Sequence, residues 1–393
     1  MTMRAFHRIL AIFVFALLLW IGVTGSAMQV LDLGATLSNA PETDPTMQSL
    51  NEGKFGDFID YETAVLADFT AAPLPTTLNY DQALQTVLAA ARKQQPQAAP
   101  NFVELRMEGT RPIGQLRFGT DVRAFDATTG LAAPIVRTDP LFPPYSLRQQ
   151  LKKLHRFWFT PPEAPGVYFE LLSGIILWVM IVTGLVTYFR LLKQRRKLGM
   201  PRLFWSAGGI WRTLHRGLSL ASAIFLISIA ASGTLLGFES VWHSLAPRSP
   251  HVTPANLTEA EVLPMLNATV AAMARTEPGV RIKAIRLRLY GGFKQGVVVT
   301  DEKVTRQIVF DTTTGKSLDL NTPGYPEAGF PFGREGHEWV KHFHSGYLFG
   351  TSGRVMNLFA GLSLVFLSVS GLAMYWQMWR KRRAGGRNAI LWR

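Results

Sequence analysis

The spacing of apolar and polar residues divides this 393-residue chain into segments of contrasting period. Four stretches, residues 9–31, 171–189, 217–238 and 355–379, contain no Asp, Glu, Lys or Arg. Each is close to the ~20 residues that a helix needs to cross hydrocarbon, so each is predicted to span a membrane. The stretches that follow the first and third spans are built differently. Residues 80–93 have helical spacing and precede alternating runs at 102–107, 113–118 and 122–125. Residues 258–275 again read as a helix, and alternating runs follow at 282–290, 296–299 and 306–310. Alternation of this kind predicts strands with one buried face. Residues 32–72 have no clear period and predict a linker holding one short helix.

Both third strands run into nearly the same turn, Phe125-Asp126-Ala127-Thr128-Thr129-Gly130 and Phe310-Asp311-Thr312-Thr313-Thr314-Gly315. Turn chemistry explains the motif, because Asp can accept from the backbone ahead of it and Gly supplies a positive φ. Its recurrence also sets the two segments in register, and the order span, module, span occurs twice. The expected fold is therefore an α-helical membrane protein, internally duplicated: a four-transmembrane-helix bundle with two periplasmic α+β modules. The expected boundaries are 1–31, 151–190, 214–239 and 341–379 for the helices and 32–150 and 240–340 for the modules. A cytoplasmic loop at 191–213 and a cytoplasmic tail at 380–393 complete the division.

Composition supports a membrane location, with 48% hydrophobic residues. The net charge of +14 is concentrated: residues 1–8, 190–216 and 380–393 carry Lys and Arg but no acidic residue. Such segments remain in the cytoplasm, which puts both termini inside and the modules in the periplasm of a bacterial inner membrane. The concentration argues against nucleic acid as a partner and leaves membrane lipid as the expected one. The chain has no cysteine, which excludes disulfides, iron–sulfur clusters and haem attached through Cys-x-x-Cys-His. Gly25-Ser26-Ala27 loosely resembles a signal cleavage site, yet the preceding apolar run exceeds the roughly 7 to 15 residues of a signal core, so an uncleaved span is expected.

Four of the eight histidines share a basic residue three positions back and a large apolar residue just before. They are His7, His155, His215 and His344, one ahead of each span. A hydroxyl residue followed by glycine recurs toward the other end of each span, at Thr24-Gly25, Thr183-Gly184, Ser232-Gly233 and Ser370-Gly371. His7 and Gly25, like His215 and Gly233, are eighteen residues apart, about five turns or ~27 Å along one helix face. With the orientation above, His7 and His215 form an inner pair and His155 and His344 an outer pair. No single cofactor bridges that distance, so the pairs predict two b-type haems with these histidines as axial ligands to iron. Gly25, Gly184, Gly233 and Gly371 are expected to give a flat macrocycle room beside the helices. Two imidazole ligands leave no open position on iron, which suits electron transfer.

His342 competes with His344 as a ligand, but residues two apart do not share a helix face, and His344 alone fits the signature. His243, His251 and His337 have no repeat partner and are expected in loops or in solvent, with His337, Trp339 and His342 available to line an external cleft. Trp158, Tyr188, Trp242, Tyr347, Trp376 and Trp379 are expected to anchor span ends. No nicotinamide or flavin fingerprint is present, since Gly208-Gly209 lacks the strand-loop-helix setting. The reductant must come from outside, as quinol or a cytoplasmic reductase.

Phe6-His7-Arg8, Leu154-His155-Arg156, Leu214-His215-Arg216 and Phe343-His344-Ser345-Gly346, with the hydroxyl-Gly pairs, resemble the PepSY-associated transmembrane family over nearly the whole chain. Within it they resemble ferric-siderophore reductases of the FoxB type. That resemblance implies PepSY-like modules, a di-haem bundle held by His7, His155, His215 and His344, and electrons delivered to iron(III) in a periplasmic ferric siderophore, releasing iron(II). Ser345 departs from the Arg that follows the other three histidines, and so lacks a charge contact such as one to a haem propionate. Two other readings stand beside it: a PepSY-type signalling or protease-regulating membrane protein, and a haem electron carrier for another periplasmic acceptor.

Overall fold

The computed structural model describes residues 2–40, 44–50, 63–65, 71–119, 121–135, 146–158, 165–200, 202–245, 255–302, 305–318, 322–325 and 331–391. In chain order the elements begin with α1 (Met3–Leu37), α2 (Pro45–Leu50), β1 (Thr63–Val65), α3 (Tyr80–Gln94), β2 (Phe102–Glu108), β3 (Arg111–Phe118) and β4 (Asp121–Asp126). Next come α4 (Leu147–Phe157), α5 (Gly166–Lys197), α6 (Ile210–Ala221), α7 (Ala223–Leu245) and α8 (Glu259–Thr276). The chain continues through β5 (Arg281–Tyr290), β6 (Phe293–Asp301), β7 (Arg306–Asp311), α9 (Gly333–Ser345) and α10 (Gly350–Ala384). They fall into two compact units, one of Met1–Ser38, Leu147–Pro247 and Ala328–Arg393, the other of Asn39–Ser146 and Arg248–Glu327.

The first unit is helical, and its α1, α5, α7 and α10 are long and apolar enough to cross a membrane. α1 packs chiefly on α10 and α5 on α7, with α1 also against α5. Val14, Leu18, Leu177, Leu226, Ala230, Ala360 and Leu364 meet in the centre. In lipid the tails are as apolar as leucine, so close helix approach depends on small residues. A Cβ at Gly237 would lie 2.7 Å from the Leu171 backbone, and one at Gly174 would overlap Thr234. The α1/α10 crossing is as tight, with Gly22 against Val365 and Gly361 against Ser26.

Of the four histidines, only His7 shares one unbroken helix with the span that follows it. α4 and α9 are separate short helices with one polar and one apolar face. α9 ends at Gly346, whose φ of 76° and close approach to the Gly353 carbonyl admit no side chain. A 3-10 turn, Tyr347–Phe349, then leads into α10. The third span is interrupted at Ser222, a buried residue whose hydroxyl donates to Leu218 O at 2.7 Å, a bond that commonly bends helices.

The second unit holds one seven-stranded antiparallel sheet in the order β1-β7-β6-β5-β2-β3-β4. Its two helix-plus-three-strand sets match the predicted runs within a few residues. The sequence reading treated them as two modules, whereas here β2 pairs with β5, Val103 opposite Leu287, and the sets form a single sheet. Each set alone would leave an edge strand with unpaired N–H and C=O groups, and joining the edges removes both. α2 is the short helix expected within 32–72, while β1, paired to β7 through Thr63 and Ile308, was not foreseen.

α3 and α8 contribute to the core on one face, where Leu84, Val87 and Leu266 cluster with Val103, Leu105, Ile285 and Leu287. Residues of opposite parity, Glu104, Arg106, Arg286 and Arg288, point the other way and are buried as well. Glu104 accepts from Arg286 Nε at 2.8 Å and from Gln115 Nε2 at 3.2 Å.

The repeated turn forms as its chemistry requires. Asp126 Oδ1 accepts from the Thr128 and Thr129 amides at 2.9 and 2.8 Å, and Asp311 Oδ1 from the Thr313 amide at 2.9 Å. Gly130 and Gly315 have φ of 72° and 69°. The Thr128 hydroxyl, with these amides, lowers the Asp126 carboxyl to about 2, and the Thr258 hydroxyl with its amide lowers Glu261 to about 2. Both folded values lie below the unfolded ones, so the stability they contribute is present above the unfolded values and lost as pH falls toward 2. Between pH 5 and 2 the wild type should therefore lose more thermal stability than Asp126→Asn; equal losses would remove this turn from the acid response.

Candidate histidine site

Each of the four histidines meets a hydroxyl-Gly pair from a different helix. His7 Nδ1 lies 2.7 Å from Thr183 Oγ1, and His155 Nδ1 is 2.9 Å from Thr24 Oγ1. His215 Nδ1 lies 2.8 Å from Ser370 Oγ, and His344 Nδ1 2.9 Å from Ser232 Oγ. The glycine of each pair faces the same ring. A Cβ at Gly25 would sit 3.3 Å from His155 Cε1, at Gly184 3.4 Å from His7 Cε1, at Gly233 3.1 Å from His344 Cε1, and at Gly371 3.9 Å from His215 Cε1. The neighbour placed over these glycines is thus an imidazole edge, and the space left by the missing side chain is first of all space for the histidine.

The hydroxyls decide which ring nitrogen carries the proton. Thr183 donates its hydroxyl hydrogen to Val179 O at 2.7 Å, Thr24 to Trp20 O at 2.8 Å, Ser232 to Ser228 O at 2.8 Å and Ser370 to Leu367 O at 3.2 Å. A hydroxyl has one hydrogen, so toward the imidazole each of these oxygens acts as acceptor. The network therefore assigns the hydrogen to Nδ1 and leaves the Nε2 lone pair for a metal. Metal-ligating histidines are ordinarily oriented this way through the other ring nitrogen.

The structure brings the rings together two by two. His7 and His215, with Gly184 and Gly371, line one cavity of about 610 Å³, within the usual ~300–1,000 Å³ of cofactor sites. Arg4, Arg8, Arg212 and Arg216 also line it, so the cavity joins an apolar interior to a cationic margin suited to a group with carboxylates at its edge. His155 and His344 are within electrostatic reach of one another. Among the described residues no three His, Cys, Asp or Glu gather as they would for a bare metal ion. Paired imidazoles in the available tautomer, a cavity of this size and arginines beside it fit a haem.

Short helices bring the second pair into place. α4 is docked on α1, where Trp20 Nε1 donates to Leu154 O at 3.0 Å and the Trp20 and Trp158 rings stack at 5.8 Å. For α9, Gln29 donates to Ser345 O at 2.9 Å and Asn357 to His344 O at 2.6 Å. His342 turns elsewhere, with Tyr347 at 4.8 Å between ring centroids and Glu338 Oε2 at 3.6 Å, which leaves His344 in the repeated position. Of the other residues named for an external cleft, Trp339 stacks on Phe343, and His337 reaches Glu239 at 2.7 Å. His243 is exposed in the last turn of α7, and His251 lies outside the described residues. Tyr188 is buried rather than an exposed anchor, and its hydroxyl donates to Leu203 O at 2.5 Å.

Sequence reasoning missed two groups. The hydroxyls Thr24, Thr183, Ser232 and Ser370 served only as markers beside the glycines, although their fourfold recurrence was the available signal. Carboxylates just past the charge-free runs, Asp32 and Glu239, escaped notice because they lie outside those runs, yet both are buried.

The family model of the PepSY-associated TM region matches residues 4–378. Comparison with curated proteins and with solved structures yields no match. Since the family match takes in all four spans and all four histidines, the chain belongs to the PepSY-associated transmembrane family.

Proposed function

We propose that this chain is a di-haem inner-membrane oxidoreductase that passes electrons from the cytoplasmic side or the quinol pool to a periplasmic ferric siderophore, reducing iron(III) to iron(II) for release. The supporting observation is the fourfold His–hydroxyl–Gly arrangement, in which every Nδ1 faces a hydroxyl oxygen. Two b-type haems would supply one-electron chemistry at these histidines. His7 and His215 would hold one haem and His155 and His344 the other. Thr183, Ser370, Thr24 and Ser232 fix ring orientation and tautomer, and the glycines admit the rings. Arg4, Arg8, Arg212 and Arg216, which line the same cavity, would meet the carboxylates of a haem at the His7/His215 end. The basic segments orient that end toward the cytoplasm. On this reading the sheet-bearing unit is periplasmic and arose by duplication, which accounts for its two helix-plus-three-strand sets. Iron in a siderophore as the acceptor rests on the likeness to FoxB-type reductases.

The test is the absorption spectrum of protein purified from haem-replete cells, followed by mixing of the reduced protein with ferric siderophores. Two haems per chain and rapid reoxidation are expected. A colourless protein would support the signalling or protease-regulating reading, and haem without reoxidation by any ferric siderophore would support a different periplasmic acceptor. Thr183→Val keeps the shape of the side chain but removes the acceptor for His7. Haem affinity at the His7/His215 site should then fall roughly 10–100-fold, as for other groups that orient metal ligands. Titration of haem into stripped protein measures this, and unchanged affinity would deny the hydroxyl its role.

A further inference from the structure

Seven residues before each of His155 and His344 stands a side chain that reaches a buried carboxylate just past the glycine of a span. In one case Arg148 grips Asp32, Nε to Oδ1 at 2.6 Å and Nη2 to Oδ2 at 3.0 Å. In the other His337 Nδ1 lies 2.7 Å from Glu239 Oε2. The two pairs occupy corresponding places and differ in one chemical respect. One carboxylate meets a guanidinium and the other an imidazole, the side-chain type that exchanges a proton near neutrality.

The surroundings make that proton consequential. Glu239 is 1% exposed, and its Oε1 has no hydrogen-bond partner. A buried carboxylate is costly unless a partner offsets its charge. His337 is the basic side chain bonded to it. Other charged groups nearby are engaged elsewhere. On α9, Lys341 pairs with Glu338. From α5, Glu170 accepts from Ser240 at 3.0 Å and faces Arg156 of α4 at 3.6 Å. On α10, Arg354 donates to Asp32 O and to the Thr36 hydroxyl. The His337 side chain remains 20% exposed, enough to exchange protons with water.

We propose that Glu239 and His337 form a proton-binding site whose proton affinity rises when an electron arrives at the His155/His344 end of the bundle and falls again when the electron leaves. The inference rests on the electron-transfer reading above. No covalent bond other than that of the transferred proton changes: reduction draws a proton from water onto the His337 imidazole in a share of the molecules, leaving it a cation hydrogen-bonded to Glu239, and reoxidation returns the proton to water. Two helical turns separate His337 from His344, about 10 Å along the axis. At an effective dielectric constant near 20, unit charges about 10 Å apart alter each other's equilibrium by roughly tenfold.

Spectroelectrochemical titration of the haem-loaded full chain from pH 5 to 9 tests the site. The midpoint potential of the haem that depends on His155 and His344 should fall with rising pH by about 59 mV in total, the equivalent of tenfold for one electron. His337→Arg, which copies the Arg148 arrangement, and Glu239→Gln should each flatten the curve. A pH-independent potential in the wild type, or the same fall in both variants, would overturn the proposal. If either variant fails to retain haem, proton uptake by the wild type on reduction, followed with a pH indicator, decides the matter, and no uptake refutes the site. A colourless wild type refutes the electron-transfer reading and this proposal together, whereas a coloured protein with a flat potential refutes the proton site alone.

Discussion

His155→Ala is expected to leave the protein with about half its haem, and His344→Ala to remove the same half. Bis-imidazole ligation requires both rings, so loss of either empties that site, and the double variant His155→Ala/His344→Ala should retain as much haem as either single one. His7→Ala and His215→Ala should remove the other half, and combining His7→Ala with His155→Ala should remove all of it. This pattern of sharing distinguishes pairing from four independent contributions. It follows from the common cavity of His7 and His215 and from the proximity of His155 to His344. Haem per chain from the pyridine haemochrome spectrum is the measurement. If His7→Ala and His155→Ala lost the same haem, or if the losses in one pair added, the assignment of partners would be wrong.

Glu104→Ala should be among the most damaging single changes in the sheet-bearing unit. Glu104 is fully buried, and Arg286, which donates to it at 2.8 Å, is 1% exposed. Removal of the carboxylate leaves a guanidinium away from water without that countercharge, at a cost of roughly 3–5 kcal/mol. Folded proteins typically have only about 5–15 kcal/mol to lose. Replacing both partners by apolar residues of similar volume, as in Glu104→Leu/Arg286→Met, should cost far less, because no charge is then stranded. Limited proteolysis of the full chain across a urea series would compare the variants. A double variant as fragile as the single one would show that the polar layer acts through shape and not through charge balance.

Much of the architecture could be read directly from the chain, because it depends on local periodicity and length. The charge-free runs gave four helices, and the helix at 80–93 and the alternating runs after it were recovered as α3 and β2 to β4. Helix boundaries differ where polar residues continue a helix past its apolar run, as α1 does to Leu37. β1 was not visible, since three residues without a period acquire strand geometry only through pairing with β7. The union of both strand sets in one sheet was hidden for the same reason: pairing of β2 with β5 joins residues far apart in sequence, and no local pattern specifies which edges meet.

The histidines at the mouths of the spans divide in the same way. The sequence by itself determined that four histidines recur with a fixed neighbourhood, that hydroxyl-Gly pairs accompany them, and that two depths result, because helical rise converts spacing into distance. Only the tertiary structure decided which hydroxyl serves which ring, that the glycines receive imidazole edges, and that Nδ1 is the nitrogen facing the hydroxyl. Those facts depend on the packing of α1, α5, α7 and α10 and on the docking of α4 and α9, contacts between residues more than a hundred positions apart in most cases. The contrast between Asp32–Arg148 and Glu239–His337 was likewise decided by packing, since a carboxylate at a span end becomes a buried charge only when a neighbouring helix closes over it.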